Sequence, residues 1–250
     1  MFKRIMENIA SFVTDVVAPR TCPACGRTLL RGERCMCLSC FASLPRTGFS
    51  GNASPLRRFV DNGIAEPGFC ASWFFYNPTS PSADIIRKAK YADRPALARG
   101  LGRMFASELI AAVHDEPEDF DDDAPATMLF SDVDVLLPVP MHWRKLLKRG
   151  YNQSRQVALG LADVGKMPVG DNLVAASAHS TQTRKGNAAR HENIAGTIIL
   201  ENPHELDGLH IAIVDDIITS GATAAECVRA ISTSGARPAS IGVISLGLTV

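Results

Sequence analysis

The sequence predicts an α/β protein with a parallel β-sheet flanked by helices and a small cysteine-rich module near its N-terminus. Three observations lead to this fold class. First, from residue 133 onward, apolar runs of strand length alternate with helix-like stretches, which indicates parallel strands joined by right-handed crossovers. Second, two C-x-x-C pairs lie close together before residue 41. Third, 250 residues are enough for one large core and one small extra module.

The first residues have the pattern of an amphipathic helix, because apolar side chains recur at helical spacing between residues 2 and 17. We therefore expect an N-terminal helix within 1–20. Its polar face is not rich in lysine and arginine, so docking on the protein body is favoured over lying on a membrane surface. This stretch also lacks the continuous apolar core of a signal peptide.

Five of the seven cysteines lie between residues 22 and 40, and four of them form the pairs Cys22-Pro23-Ala24-Cys25 and Cys37-Leu38-Ser39-Cys40. Two such pairs have the spacing of a tetrahedral zinc site with four thiolate ligands, and such a site is structural because no position is left open. The alternatives are a redox C-x-x-C motif or buried cysteines without a metal. Cys35 is a surplus thiol that could replace Cys37 as a ligand.

Composition and cysteine usage indicate the class of protein. Cysteines clustered in this way favour metal binding over disulfides and hence a reducing compartment, so we expect a cytoplasmic protein. The net charge is zero, with 26 basic and 26 acidic residues, and composition alone gives no reason to expect nucleic acid. No apolar run approaches the length of a membrane span, so we expect none.

Domain boundaries follow from where regular patterns begin and end. Residues 21–68 combine the cysteine pairs with an irregular stretch rich in Gly, Pro and Asn, which we interpret as a zinc-ribbon-like segment and a connector. Residues 69–250 hold the alternating strands and helices and form the second domain. Within it, the many acids of 115–127 indicate an acidic loop, which we interpret as a solvated insertion.

The expected elements of the second domain follow from apolar periodicity. A helix from residue 95 to about 114 would bury one face made of Leu97, Leu101, Phe105, Leu109 and Val113. Strands are expected at 69–76, 133–137, 173–176, 196–200, 211–214 and 239–246, and further helices around 85–91, up to about 164, and at 224–234.

The most informative stretch is an apolar run at 211–214, followed by Asp215, Asp216 and the loop Thr219-Ser220-Gly221-Ala222-Thr223. The loop offers N–H groups and hydroxyls at a helix N-terminus, where a phosphate is favoured. The carboxylates lie at the carboxyl end of a strand, the usual ligand edge of an α/β sheet, and could accept hydrogen bonds from sugar hydroxyls. A sugar phosphate fits both features. The alternative is an ordinary crossover in which Thr219 or Ser220 caps the helix.

This stretch resembles the phosphoribosyl-pyrophosphate (PRPP) signature of type I phosphoribosyltransferases, in which an apolar strand precedes two acids, two further residues and Thr-Thr/Ser-Gly-x-Thr. The resemblance implies the type I phosphoribosyltransferase fold for 69–250. The motifs typical of nucleoside triphosphate and dinucleotide sites, G-x-x-x-x-G-K-[ST] and G-x-G-x-x-G after a strand, do not occur in the sequence.

Further motifs resemble the ComF family of competence proteins, which joins an N-terminal zinc ribbon to a type I phosphoribosyltransferase domain. The cysteine pairs match that family, and the resemblance runs from about residue 22 to 247. Tyr151 stands where the family usually has Phe, and Lys185 where it usually has Leu. The other matching stretches are Ile86-Arg87-Lys88-Ala89-Lys90-Tyr91, Pro138-Val139-Pro140, His142-Trp143-Arg144, Arg149-Gly150-Tyr151-Asn152-Gln153, and the residues Gln182, Arg190 and Asn193.

The resemblance implies a role for each matched position. Asp215 and Asp216 would hold the ribose hydroxyls, directly or beside Mg²⁺, and residues 219–223 would cradle the 5′-phosphate. Transfer from PRPP passes through an oxocarbenium-like centre, so it needs Mg²⁺, cations on the leaving group and exclusion of water more than a nucleophile. The pyrophosphate loop would be Pro138, Val139 and Pro140, and the flexible loop at 177–193 would supply the cations Arg184, Lys185 and Arg190, for each of which a solvated charge is the alternative.

Two classes of function are open at this point. The first is an enzyme that transfers phosphoribosyl to an unidentified acceptor, and the second is a non-catalytic competence factor for the uptake of single-stranded DNA. The zinc ribbon could also dock a helicase or another uptake protein. The candidate contacts for DNA are the basic run Arg144, Lys145, Lys148 and Arg149 beside Trp143 and Tyr151, although a charged loop that supports the pyrophosphate site is favoured.

Overall fold

The computed structural model describes residues 20–51, 54–60, 66–91, 94–112, 128–176 and 197–249. The expected N-terminal helix, the acidic loop at 115–127 and the flexible loop at 177–193 lie outside these residues. Among the described helices, none combines the length and the apolar character needed to cross a membrane.

A six-stranded, mainly parallel sheet forms the centre of the molecule. Along the sheet the order is β1-β3-β8-β7-β4, and β2 pairs with one end of β8. Only β1 runs antiparallel to its neighbour. The strands are β1 (Arg46–Ser50), β2 (Glu66–Pro67), β3 (Ala71–Phe75), β4 (Val135–Pro138), β7 (His210–Ile218) and β8 (Ser240–Leu248).

The described part of the chain also contains six α-helices, three short 3-10 helices and a small second sheet. The second sheet is an antiparallel pair of β5 (Leu173–Ala175) and β6 (Ile198–Leu200). The helices are α1 (Leu38–Ala42), α2 (Pro81–Tyr91), α3 (Pro95–Ala112), α4 (Trp143–Arg149), α5 (Gln153–Gly165) and α6 (Ala222–Thr233). The predicted α/β class, with a mainly parallel sheet and a cysteine-rich N-terminal segment, is therefore confirmed.

The central strands are apolar on both sides because helices cover both faces of the sheet. In β7, Ala212 and Val214 face the core under α3 and α5, while Ile211 and Ile213 face the core under α6. All nine residues of β8 are buried. A period of two along the strand thus divides one continuous apolar run between two separate cores.

Helices α3 and α5 cross closely on one face of the sheet. A Cβ on either Gly102 or Gly160 would overlap backbone atoms of the opposite helix, so only glycine allows this approach. The predicted apolar face of α3 is confirmed for its described members, which are all buried. Beside the crossing, Arg99 donates to Asp163 at 2.6 and 2.8 Å, and this contact holds the pKa of the Asp163 carboxyl well below its usual range.

The cysteine-bearing segment packs on the same core rather than standing apart. Cys22, Met36 and Leu44 belong to the apolar cluster under α3 and α5. At the start of β1, Arg46 forms an ion pair with Glu108 of α3 at 2.6 Å. Glu108 also accepts a hydrogen bond from Trp73 Nε1 at 2.7 Å, so one carboxylate links three elements.

The structure differs from the sequence-based expectation in three places. Strand β1 lies inside the stretch that we interpreted as a connector, and it pairs with β3 through a bulge. Helix α4 occupies the basic run that we expected to be a loop. The short strands β5 and β6 pair with each other and do not extend the parallel sheet. A strand of three residues contains too few apolar positions for its sequence to indicate which sheet it joins.

Candidate functional site

Asp215 and Asp216 lie near the carboxyl end of β7. The strand continues beyond the expected end at residue 214, because Asp215 pairs with Ser245 and Ile218 with Leu248 of β8. The acids are therefore fixed within a paired strand, and both are half-buried. The paired backbone thus holds two consecutive acidic residues near the ligand edge of the sheet.

Most carboxylate oxygens of the pair already have partners in the protein. Oδ1 of Asp215 accepts hydrogen bonds from Ser154 Oγ at 3.0 Å and from the N–H of Asp216 at 2.8 Å. Oδ1 of Asp216 accepts the N–H of Ile217 at 2.8 Å. Oδ2 of Asp216 lies 2.9 Å from Nζ of Lys90, near the end of α2.

The electrostatics of the pair favour added positive charge. Burial, and then the neighbouring carboxylate of Asp216, raises the pKa of Asp215 to about 7. Hydrogen bonds from Asp216 N–H and Ser154 and the charge of Lys90 oppose this rise. Two adjacent carboxylates in a half-buried position are stabilised by a cation or by sugar hydroxyls that donate to them.

The loop after β7 forms the start of α6. Gly221 has a φ of 76° and precedes the first helical residue, Ala222. Thr219 and Ser220 are exposed, and Thr223 is half-buried within the first turn. The hydroxyls and N–H groups expected to hold a phosphate therefore lie together at the N-terminus of a twelve-residue helix.

A side chain from a distant segment closes one side of this loop. A Cβ added to Gly221 would overlap the ring of Phe59, which ends a 3-10 helix at Pro55–Phe59. Two reasons favour glycine at position 221. Its φ lies in the left-handed region, and the ring of Phe59 occupies the space that a side chain would need. The stretch between β1 and β2 thus helps to shape the site.

The loop after β4 lies directly beside the acid pair. Pro138 pairs with Val214 in the sheet register, one residue before Asp215. The N–H of Val139 donates to Val214 O at 2.9 Å, and Val139 O accepts from Asn152 Nδ2 at 2.9 Å. The structure therefore brings together the predicted pyrophosphate loop and the acids, as the parallel sheet requires.

Four consecutive side chains at the start of α5 hold these pieces together. Tyr151 donates its hydroxyl to Ala89 O, and Gln153 Nε2 donates to Lys90 O at 3.2 Å. Asn152 bonds the β4 loop and also caps α5 by accepting from Arg155 N–H. Ser154 bonds Asp215. The run thus links the start of α5 to the end of α2, to the loop after β4 and to the acid pair.

Sequence reasoning did not find Lys90 or Ser154. The stretches around both were noticed only because they resemble a known family. Asn152 had a local signal, since Asn before a helix is a common N-cap. Nothing local indicates that Lys90 reaches an acid 126 positions further along the chain.

The predicted DNA-contacting residues lie on α4, a seven-residue helix without buried residues. Trp143 is 52% exposed, and the Arg144 guanidinium lies over its ring. Tyr151, by contrast, is only 8% exposed, so its ring is not free to stack on a base. Arg149 donates to Gln153 at 2.9 Å and is thus linked to the acid site.

Between α4, α5 and β5 lies a cavity of about 510 Å³. Its walls combine apolar side chains with the amides of Asn152 and Gln156. Arg155 and Asp171, which also line it, form an ion pair. The cavity adjoins Pro138 and Pro140, so it opens beside the predicted pyrophosphate loop.

The four cysteines of the two C-x-x-C pairs converge on one point. Their sulfur atoms all lie within 4.8 Å of one another, and Cys25 and Cys37 are 3.8 Å apart. Bonds of about 2.3 Å to a tetrahedral zinc ion place sulfurs about 3.8 Å apart. Burial raises the pKa of Cys22, but N–H groups of Cys37, Cys25 and Ala24 outweigh it and lower that pKa to about 7.

Cys35 does not belong to this cluster, and it packs half-buried against Gly100 of α3 instead. None of the described cysteines is in a disulfide. The predicted loop cations Arg184, Lys185 and Arg190 lie outside the described residues, so their roles stay predictions.

No family model matches the chain, and the relatives found by comparison with known proteins include the following two. The DNA utilization protein YhgH of Salmonella typhimurium is 28% identical over 159 residues, which are 63% of this chain and 64% of the relative. Competence protein F of Haemophilus influenzae is 28% identical over 146 residues, 57% of this chain and 58% of the relative. These relatives confirm the resemblance to the ComF family. The match spans less than two thirds of the length of either relative.

Solved structures of phosphoribosyltransferases also appear among the matches. A hypoxanthine phosphoribosyltransferase of Trypanosoma cruzi aligns over 62% of this chain and 64% of its own, with 15% identity and a TM-score of 0.33. The hypoxanthine-guanine enzyme of L. donovani covers 60% and 71%, with 18% identity and the same TM-score. TM-scores this low carry no inference about the chain.

The packing of Phe59 on the loop can be tested with two glycines of nearly equal φ. Gly208 has a φ of 75° and open space where a Cβ would lie, whereas Gly221 has Phe59 there. Gly208→Ala should cost about 1 kcal/mol of unfolding free energy from backbone strain alone. Gly221→Ala should cost about 1–3 kcal/mol more because of overpacking, as measured by urea denaturation.

The double variant Gly221→Ala with Phe59→Ala isolates the contact. Its destabilisation should be smaller than the sum of the two single effects, because the ring that clashes is gone. Equal losses in Gly208→Ala and Gly221→Ala, with additive behaviour of the double variant, would show that Phe59 does not pack on the loop.

Proposed function

We propose that this chain binds PRPP or a related ribose 5-phosphate together with Mg²⁺ at Asp215, Asp216 and the 219–223 loop. The observation that carries the proposal is the convergence of an acid pair, a helix N-terminus with three hydroxyls and the loop after β4 at one edge of the sheet. One end of the site suits a dianionic phosphate. The other end suits hydroxyls and a divalent cation.

The donor chemistry of the acid pair fits Mg²⁺. Hard carboxylate oxygens are its preferred protein ligands, and it usually takes one or two of them together with substrate phosphates. The Lys90 ammonium, 2.9 Å from Asp216, marks the position where the site favours positive charge. When bound, the ion would neutralise charge that develops on a pyrophosphate leaving group.

The residues of the chain would then position the sugar and exclude water. Asp215 and Asp216 would orient the ribose diol, and the N–H groups of the 219–223 loop would fix the 5′-phosphate. We propose the β4 loop of Pro138, Val139 and Pro140 as the contact for the pyrophosphate, with Arg184, Lys185 and Arg190 as further cations. At C1 of PRPP, the bond to the pyrophosphate oxygen would break and a bond to an atom of an unidentified acceptor would form, so that pyrophosphate leaves with the bonding electrons.

Replacing both acids tests the ligand proposal. The double variant Asp215→Asn with Asp216→Asn keeps the shape and removes the charge that would hold Mg²⁺ and the diol. Each charged hydrogen bond that is removed costs about 1.5–3 kcal/mol, so PRPP affinity in Mg²⁺ should fall at least about tenfold by calorimetry. Asp163→Asn, an acid on the far end of α5, is the control and should bind normally. A wild type without affinity for any ribose 5-phosphate compound would reject the proposal.

We further propose that Cys22, Cys25, Cys37 and Cys40 hold a structural zinc ion. Support comes from the sulfur spacing, and four thiolate ligands would fill a tetrahedral ion and leave no open position for a reactant. Such thiolates persist in a reducing compartment, which fits our proposal of a cytoplasmic protein.

Metal analysis tests the zinc proposal. The wild type should carry one zinc ion per chain, and both Cys22→Ser and Cys37→Ser should lose it because a tetrahedral site needs all four thiolates. Cys35→Ser is the matched control and should keep the ion. Zinc that persists in both ligand variants would reject the site, and zinc lost only in Cys35→Ser would shift the ligand assignment.

A second candidate function is a non-catalytic factor in the handling of single-stranded DNA. Helix α4 favours it, because four cations and the half-exposed Trp143 share one surface helix. The names of the relatives refer to DNA utilization and competence. A competence helicase or another uptake protein would then be the partner of the cysteine-bearing segment. The four cations are Arg144, Lys145, Lys148 and Arg149.

The DNA candidate predicts binding that depends on salt and on α4. Arg149 contacts Gln153, so the cleaner variant is Lys145→Ala with Lys148→Ala, two lysines away from the acid site. The slope of log affinity against log salt should flatten by about 0.7 for each phosphate that a substituted lysine would otherwise bind. Lys88→Ala with Lys166→Ala removes the same charge elsewhere and should leave the slope unchanged. Equal slopes in all three proteins would reject α4 as the DNA surface.

A further inference from the structure

The ion pair between Lys90 and Asp216 is unlike the other ion pairs of the described residues in one respect: it joins a helix to the candidate ligand site. Nζ and Oδ2 are 2.9 Å apart, and the side chains are only 22% and 13% exposed. Within the described part of the chain, no other cation pairs with either acid. A pair this enclosed is screened by salt much less than a surface pair.

The backbone that carries Lys90 is fixed by side chains. Carbonyls in the last turn of a helix lack intrahelical partners. In α2, the carbonyls of Ala89 and Lys90 accept from Tyr151 and Gln153. The end of α2 is thereby fastened to the start of α5, which itself contacts Asp215 through Ser154. The backbone that carries Lys90 is therefore held in place beside the acids, and its ammonium lies next to Asp216.

Lys88 provides an internal contrast. It lies two positions earlier on the same helix, and its Nζ donates to Pro23 O at 2.7 Å. Two positions correspond to about 200° around a helix, so the two lysines project to opposite sides. Lys88 therefore contacts the cysteine-bearing segment, and Lys90 contacts the acids.

We propose that Lys90 is a built-in counter-ion of the acid pair, which neutralises Asp216 in the ligand-free protein and releases it when Mg²⁺ binds. The proposal rests on the ligand site described under the proposed function. Both Oδ1 atoms accept backbone N–H groups, so the Oδ2 atoms are the natural contacts for a cation. Lys90 occupies Oδ2 of Asp216, so it and a divalent cation compete for one atom.

Competition has a consequence for affinity. A site that is free for only a fraction of the time binds with its intrinsic affinity multiplied by that fraction. If Lys90 holds Asp216 for more than about nine tenths of the time, the affinity for Mg²⁺ alone falls about tenfold. Lysine has a flexible stem and a point charge, so the released ammonium can turn to a phosphate oxygen of the ligand. Cation and phosphate ligand would then strengthen each other's binding.

Calorimetric titration with Mg²⁺ alone tests the counter-ion role. Lys90→Met removes the competing charge and keeps the apolar stem, so it should bind Mg²⁺ about tenfold more tightly than the wild type. Lys90→Arg keeps the charge and should stay as weak as the wild type. Lys88→Met, the matched control on the same helix, should not change Mg²⁺ binding. A gain of affinity is a result that damage to the fold does not produce.

The proposal is overturned if the Lys90→Met variant binds Mg²⁺ no better than the wild type and urea denaturation shows that the variant is folded. If that variant does not fold, Lys90→Gln, which keeps a polar donor without charge, is measured in its place and judged by the same outcome. A thermal melt gives a second reading, because Mg²⁺ should raise the Tm of the uncharged variant more than that of the wild type.

The outcomes separate this inference from the proposed function. Tighter Mg²⁺ binding in Lys90→Met, together with no affinity of any variant for a ribose 5-phosphate compound, would support the counter-ion and reject the ligand. Unchanged Mg²⁺ binding, together with PRPP affinity that depends on Asp215 and Asp216, would reject the counter-ion and support the ligand.

Discussion

The negative charge of two consecutive acidic residues near the end of a buried strand is the constraint on which the arrangement of the site depends. Asp215 and Asp216 cannot move apart, because β7 is paired with β8 through Ile218. Their mutual repulsion and partial burial are offset by two backbone N–H groups, by Ser154 and by the ammonium of Lys90. These partners come from β7, α5 and α2. Stabilising the two carboxylates therefore requires that α5 and α2 lie next to the end of β7.

Residues at the start of α5 hold the elements around the acid pair in place. The run from Tyr151 to Ser154 sends successive side chains to Ala89, Val139, Lys90 and Asp215. Successive positions in the first turn of a helix point about 100° apart, so a short run can reach several surrounding elements. A substitution in this run would therefore disturb the loop after β4, the end of α2 and the acid pair at once, although none of its side chains needs to touch a ligand.

Local sequence patterns were sufficient to predict those elements whose apolar or cysteine residues recur at short, regular spacing. The apolar core of β7, the buried face of α3 and the paired cysteines each carry their signal within about twenty residues, and the structure places them as predicted. Strand β1 had no such signal, because Gly48 and a bulge interrupt its alternation and its pairing depends on Phe74 and Ser72. Helix α4 spans seven residues, too few for a clear period. The contact of Lys90 with Asp216 joins two unrelated motifs, so only the three-dimensional fold reveals it.

The division of the chain at about residue 68, which the sequence suggests, separates segments that share physical contacts. Met36 and Leu44 lie in the same apolar cluster as Phe74 and Ile86, so the cysteine-bearing segment and the sheet bury surface against each other. Helix α2 lies between the two candidate sites, with Lys88 bonded to Pro23 inside the first cysteine pair and Lys90 bonded to Asp216. The two candidate sites are therefore reached by two lysines of one helix, and each lysine contacts only one of the sites because the two side chains project to opposite sides.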